Sequence, residues 1–169
     1  MKELTNNKKY KSIFVTGKEL FWKYGIKRVT IEEICREAGV SKMTFYKFFP
    51  NKTNLAKTIW ETIMEESLSR FKSVVKSELT IQEKIKEMFT LKLEVTKNIS
   101  LEFTCFDYAS PPSWGRPLIE RYGKESFSIF INFLEDSREK GLIRKDVKID
   151  FILYYLNHAA AMFDDKELA

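Results

Sequence analysis

The sequence predicts an all-α protein, with a small N-terminal three-helix unit packed on a C-terminal helical bundle. Three observations carry that prediction. Helix breakers are sparse: four prolines and six glycines in 169 residues. Apolar residues recur at steps of three and four along most of the chain, the spacing that lines one face of an α-helix. Residues suited to capping helix ends stand where those runs begin and stop. No stretch shows the strict alternation of a half-buried strand. The length suffices for a small domain packed on a larger one, and the expected boundary lies between 1–52 and 53–169.

The elements follow in order. Residues 1–8 are polar and expected to fray. From Tyr10, the positions Ile13, Phe14, Gly17, Leu20, Phe21 and Tyr24 make one helical face, which Gly25 stops. Thr30-Ile31-Glu32-Glu33 is a capping box, in which the Thr30 hydroxyl accepts from the Glu33 amide and Glu33 reaches back. Ile31, Ile34, Cys35 and Ala38 face inward along this second helix, Gly39 ends it, and Val40 plugs the turn. Ser41 is the N-cap of a third, short helix, Lys42–Phe48. Pro50-Asn51-Lys52 breaks the pattern, and Asn51 caps a long fourth helix carrying Leu55, Ile59, Ile63, Leu68 and Phe71. Thr80-Ile81-Gln82-Glu83 repeats the capping signature and opens a fifth helix to about Lys97. An apolar segment, Leu101–Ala109, follows. Pro111 to Pro117 holds three of the prolines and reads as a loop. A long helix, Leu118–Lys140, closes at Gly141, and a last one runs from about Lys148 to Phe163.

Charge is unevenly spread. Residues 1–60 hold 13 Lys/Arg against 5 Asp/Glu, a net of +8, and residues 61–169 hold 16 against 19, a net of −3. A basic head on a mildly acidic body suits a polyanionic partner, although such a bias also serves solubility. Cys35 and Cys105 stand apart without metal-ligand spacing, so neither a disulfide framework nor a zinc site is expected. There is one histidine, and no phosphate-binding glycine loop, nucleophile–base set or clustered carboxylate pair. An enzyme is not expected, nor a cofactor or a metal. No apolar leader region and no uncharged run of membrane-spanning length is visible, so a cytoplasmic protein without membrane association is expected.

A helix, a Gly-Val turn and a second short helix make a unit the size of a helix-turn-helix. The second helix must send polar and basic side chains into a major groove about 12 Å wide while its inner face packs on its neighbours. Lys42, Met43, Lys47 and Phe48 are expected to point out, and Phe45 and Phe49 in. Thr44 and Tyr46 carry hydroxyls suited to phosphates or base edges.

The run from Ile31 to Lys52, with Ala38-Gly39-Val40-Ser41, Thr44-Phe45-Tyr46 and Phe49-Pro50-Asn51-Lys52 at its centre, resembles the signature of the TetR/AcrR family of transcriptional regulators. The likeness covers about residues 10–60. It implies that Thr30 binds phosphate, that Lys42, Met43, Thr44 and Lys47 face the groove, that Tyr46 hydrogen-bonds a phosphate, and that Lys52 contacts backbone phosphate beside a helix N-terminus. Met43 replaces the usual Gly or Pro, and Phe48 the frequent His or Tyr. Contact with a thymine methyl is a use for either. Each residue also has a structural use: Thr30 and Ser41 as caps, Tyr46 in packing, Lys42 and Lys47 as solvated surface. Lys8, Lys9 and Lys11 read best as a basic tail.

The same resemblance implies a body that binds a small molecule and pairs two subunits. That body is rich in aromatic residues, among them Phe89, Phe103, Phe106, Trp114, Phe130 and Tyr154. Aromatic walls suit apolar or planar cationic ligands, and they equally fill a core. Asp107 and His158, within apolar helices, are candidate polar anchors for a ligand or ordinary structural groups. Phe151, Tyr155, His158, Ala159 and Met162 share a helical face suited to a homodimer. Members of the family usually run some tens of residues longer, so either a short member or a truncated chain is expected, with a reduced interface.

The mechanism so implied is a dimeric repressor. It binds a palindromic operator of double-stranded DNA, and an apolar or aromatic effector of unknown identity releases it. The alternative is a DNA-binding regulator without a small ligand, controlled by a protein partner; an enclosed cavity in the body would distinguish the two.

Overall fold

The computed structural model describes residues 7–96 and 111–155. Among these residues every regular element is a helix: α1 (Lys8–Tyr24), α2 (Ile31–Glu37), α3 (Lys42–Phe48), α4 (Lys52–Lys76), α5 (Ile81–Thr96) and α6 (Gly115–Glu139). Residues 149–155 are helical as well. The expected segment 101–109 and the last turns after 155 lie outside the described residues.

The caps act as their chemistry dictates. Thr30 Oγ1 accepts from the Glu33 amide at 3.2 Å, and Glu33 Oε2 accepts from the Thr30 amide at 3.0 Å. Ser41 Oγ accepts from the Thr44 amide at 3.1 Å, and Asn51 Oδ1 from the Asn54 amide at 2.8 Å. The Thr80–Glu83 pair repeats the box at the start of α5. At the end of α2, Gly39 takes φ 65°, the Gly39 amide donates to the Arg36 carbonyl, and the Val40 amide reaches the Cys35 carbonyl at 2.9 Å. This closing turn satisfies carbonyls that the helix leaves open and turns the chain toward α3.

Two boundaries differ from those the sequence predicts. α1 begins at Lys8, two residues before the apolar pattern does, because Asn7 Oδ1 accepts from the amides of Lys9 and Tyr10 and forms the cap. α6 begins at Gly115, inside the proline-rich stretch, so the loop is shorter than expected. Pro117 is its third residue, where no intrahelical N–H bond is required.

α1 packs against α2, α3 and α4, and α4 against α5 and α6. One apolar cluster joins Ile13 and Phe21 of α1, Ile34 of α2 and Phe45 of α3 to Leu55, Ala56, Ile59 and Trp60 of α4. Leu118 and Tyr122 of α6 reach the same cluster. A second, smaller cluster further along the body holds Met88, Phe133, Leu134 and Ile149. α1 and α4 approach closely at Gly17: a Cβ there would lie 2.8 Å from Leu55 Cδ2.

Candidate nucleic-acid interface

α3 is held by its aromatic inner face. Phe45 is fully buried and Phe49 nearly so, their ring centroids 5.9 Å apart. The i, i+4 spacing that predicts this pair pointing inward is what the structure shows. Tyr10 of α1 stacks on Phe49 at 5.1 Å, and so fixes the end of α3 against α1.

With that face pinned, the opposite face must look out. Met43 is 83% exposed and Tyr46 51%. Lys47 is exposed beside them, and Lys42 is exposed in an ion pair with Glu32 of α2. That pair holds the Glu32 carboxyl below its ordinary range and the Lys42 ammonium above its own, chiefly through the hydrogen bond between them. Thr44 is half-buried, its hydroxyl 3.0 Å from Ser41 Oγ, so both oxygens are engaged at the cap.

Two expected orientations change. Phe48, expected outward, is half-buried, with its ring edge-on to Tyr10 at a centroid distance of 5.8 Å. The sequence pattern missed this because Tyr10 lies 38 positions upstream and its ring offers an apolar seat at the flank of α3. Lys52, expected at a phosphate, turns its ammonium to the α1–α2 connection, where it donates to the Val29 carbonyl at 2.6 Å and to the Lys27 carbonyl at 3.2 Å. Thr30 is exposed, with its hydroxyl engaged in the cap.

Lys8 and Lys9, read from sequence as a tail, are ordered at the start of α1. They line an open groove of about 440 Å³ with Asn7, Thr44, Lys47 and Phe48. The groove is basic and lies along the flank of α3. A helix of this length with exposed hydroxyl, thioether and ammonium groups on one side matches what a major groove presents: acceptor-rich base edges, thymine methyls and bordering phosphates.

Residues 13–59 match the family model for bacterial regulatory proteins of the tetR family. Over that stretch the chain is similar to the TetR family. Its relatives include the HTH-type transcriptional repressor KstR2 of Mycobacterium tuberculosis, 19% identical over 81% of this chain and 70% of that one. The HTH-type transcriptional regulator YhgD of Bacillus subtilis is 24% identical over 91% of this chain and 82% of its own. Among solved structures, the transcriptional regulator FadR from Bacillus subtilis in complex with stearoyl-CoA superposes with a TM-score of 0.66 at 19% identity, over 84% of this chain and 77% of that one. That last likeness is one of fold.

The residues expected around a ligand have separate surroundings. Trp114 packs edge-on against Trp60 at 5.8 Å in the larger cluster. Phe130 stacks on Phe133 at 6.4 Å in the smaller one. Phe89 and Tyr154 are exposed, as are Phe151 and Tyr155 of the expected dimer face. Phe103, Phe106, Asp107, His158, Ala159 and Met162 lie outside the described residues.

Between α4 and α6 runs a polar tie that the sequence did not suggest. Arg121 Nη2 donates to Tyr122 Oη at 2.6 Å, and that hydroxyl donates to Glu65 Oε1 at 3.1 Å. Burial pushes the Tyr122 phenol above its ordinary range. Among the described residues, no helix is long and apolar enough to cross a membrane.

Proposed function

We propose that this protein is a ligand-responsive repressor that binds a pseudo-palindromic operator as a homodimer. The observation that carries the reading is α3 itself: Phe45 and Phe49 anchor one face, and Met43, Tyr46 and Lys47 are exposed on the other. Two such helices, one helical turn of DNA apart (about 34–36 Å), would enter successive major grooves. Lys47 and Lys42 supply charge, Tyr46 a hydroxyl for phosphate or base edge, and Met43 an apolar contact for a thymine methyl. Ser41, Thr44 and Thr30 shape the helix starts beside the backbone. The exposed Phe151 and Tyr155 lie on the face proposed to pair two subunits.

The effector is proposed to bind in the body and act through α4, which joins the body to the DNA-binding helices. The stearoyl-CoA complex of the Bacillus subtilis FadR supports an effector with an apolar portion. Release requires that the effector bind the DNA-incompetent arrangement more tightly than the competent one.

The test is a gel shift on a duplex that the wild-type protein selects from a random-sequence pool. Lys47→Ala should lower affinity about tenfold and flatten the salt dependence, and Tyr46→Phe should weaken binding by a smaller factor. Unchanged affinity in both variants would remove α3 from the groove.

A further inference from the structure

We infer that Glu32 of α2 and Lys42 of α3 act as one reading unit, which selects a C·G base pair by its orientation: guanine toward the Lys42 ammonium, cytosine toward the Glu32 carboxylate. The inference rests on the DNA-binding reading above and adds to it a residue outside α3 that sets specificity.

The placement comes first. Glu32 is the second residue of α2 and Lys42 the first of α3. Their ion pair, between Glu32 Oε1 and Lys42 Nζ, bridges the two helices, and both side chains are more than half exposed. The N-terminal residues of a recognition helix are those that meet base edges. A carboxylate touching the Lys42 ammonium therefore lies beside any base edge that Lys42 contacts. The other acidic side chains of α2 are engaged elsewhere: Glu33 in the capping box, and Glu37 with Arg36. The hydrogen bond from Lys42 holds the Glu32 carboxyl below its ordinary range, so at neutral pH it is ionised and only accepts.

The paired charges match one edge of DNA. In the major groove guanine presents the acceptors N7 and O6, and cytosine the donor N4. O6 and N4 are bonded to each other at an ordinary hydrogen-bond length of about 2.9 Å. They are thus spaced like an ammonium and a carboxylate in contact. Lys42 has three donors, one of them engaged by Glu32, and the others can reach O6 and N7. The Glu32 carboxylate keeps lone pairs for the N4 amino group. Turning the base pair round sets that amino group against the ammonium, and two acceptors against the carboxylate. A T·A pair with thymine toward Lys42 offers O4 and N6 in matching places, but adenine N7 faces the carboxylate, so this pair ranks second.

Fold stability does not account for the ion pair. Exposed pairs add little to folding, and a carboxylate beside a DNA-facing helix lowers affinity for a polyanion. What it contributes is discrimination, which depends on repelling the wrong partner as much as on attracting the right one.

The experiment uses the full-length protein and the duplex that the wild type selects from a random-sequence pool. Each base pair of the half-site is changed in turn to the other three, and affinities are measured by fluorescence anisotropy. One position should be C·G, lose about 10- to 100-fold on reversal, and lose less on change to T·A. A half-site without such a position overturns the inference. Glu32→Gln should not lose affinity for the selected duplex, since its amide oxygen still accepts from N4. It should cut the reversal penalty to below about fivefold, at that position alone. The deciding variant is Glu32→Lys/Lys42→Glu, which keeps both the ion pair and the net charge. Its preference at that position should invert to the reversed pair. If the swap keeps the wild-type preference, or the two variants loosen discrimination at different positions or at all positions alike, the pair is structural and the inference is overturned. Should the double variant lack the helical circular dichroism of the wild type, Glu32→Gln decides by whether the reversal penalty falls. If the wild type selects no duplex, the DNA-binding reading itself falls, and this inference with it.

Discussion

Gly17 offers the sharpest perturbation of the junction between the three N-terminal helices and the body. A Cβ at this position would lie 2.8 Å from Leu55 Cδ2 and 3.4 Å from both Leu55 Cγ and Ile59 Cδ1. Carbon atoms pack at about 3.5–4.0 Å, so even the first added carbon intrudes by more than half an ångström. Leu55 and Ile59 are fully buried, so either can yield only by repacking within the core. Gly17→Val therefore overpacks the site, at a cost of about 1–3 kcal/mol. Its better helix propensity returns a few tenths of that. The net is a loss of about 1–2.5 kcal/mol, or several degrees in Tm for a chain of this size. Leu55→Ala alone leaves a cavity and costs about 2–5 kcal/mol. Because the two side chains compete for the same space, the double variant Gly17→Val/Leu55→Ala should be less destabilised than the sum of the singles by at least about 1 kcal/mol. Urea unfolding followed by far-ultraviolet circular dichroism measures all four corners of the cycle. Additivity within about 0.5 kcal/mol, or a neutral Gly17→Val, would refute the close approach of α1 and α4.

Three further outcomes follow from the caps and the ion pair. Thr30→Ala removes the side-chain half of the box that opens α2, leaving the bond from the residue-30 amide to Glu33, and should cost about 1 kcal/mol in thermal unfolding, while Thr30→Ser should cost only a small part of that. The Glu33 and Glu83 carboxyls lie below their ordinary 4.5, each held there by hydrogen bonds from its own capping threonine. A depressed folded-state value means that this stability is complete above the ordinary range and is lost as pH falls below it; Glu33→Gln/Glu83→Gln should flatten the acid limb of a stability-against-pH curve. Glu32→Gln frees the Lys42 ammonium from its carboxylate and removes a negative charge beside α3, so duplex affinity should rise about 2- to 5-fold with a steeper salt dependence; lower affinity would mean that the pair itself orients α3.

What the sequence made legible is what depends on neighbours a few positions apart. The capping pairs Thr30–Glu33, Ser41–Thr44 and Thr80–Glu83 are local, and so is the inward spacing of Phe45 and Phe49; all are read correctly from the chain. The seat of Phe48 on Tyr10 and the reach of Lys52 to Val29 and Lys27 join residues that folding alone brings together, so no local pattern reveals them. The start of α1 was open to a local reading, since Asn7 is a good N-cap, yet its run of polar neighbours masked it. The aromatic residues of the body carried the least information. Trp114 and Phe130 pack in different clusters and Phe89 faces solvent, because aromatic content does not say which rings share a wall.

The larger apolar cluster has a bearing on how DNA specificity could be transplanted. Ile13, Phe21, Ile34 and Phe45 are closed off from water in part by Leu55, Ala56, Ile59 and Trp60, and further along by Leu118 and Tyr122. A chimera cut at the start of α4 would ask one regulator's aromatic floor to fit another's ceiling. A fragment ending there would leave that floor wet. Exchange of the outward residues 42, 43, 46 and 47 leaves every one of these contacts in place, so under the proposed DNA-binding role the surface of α3, and not the whole head, is the cassette to exchange.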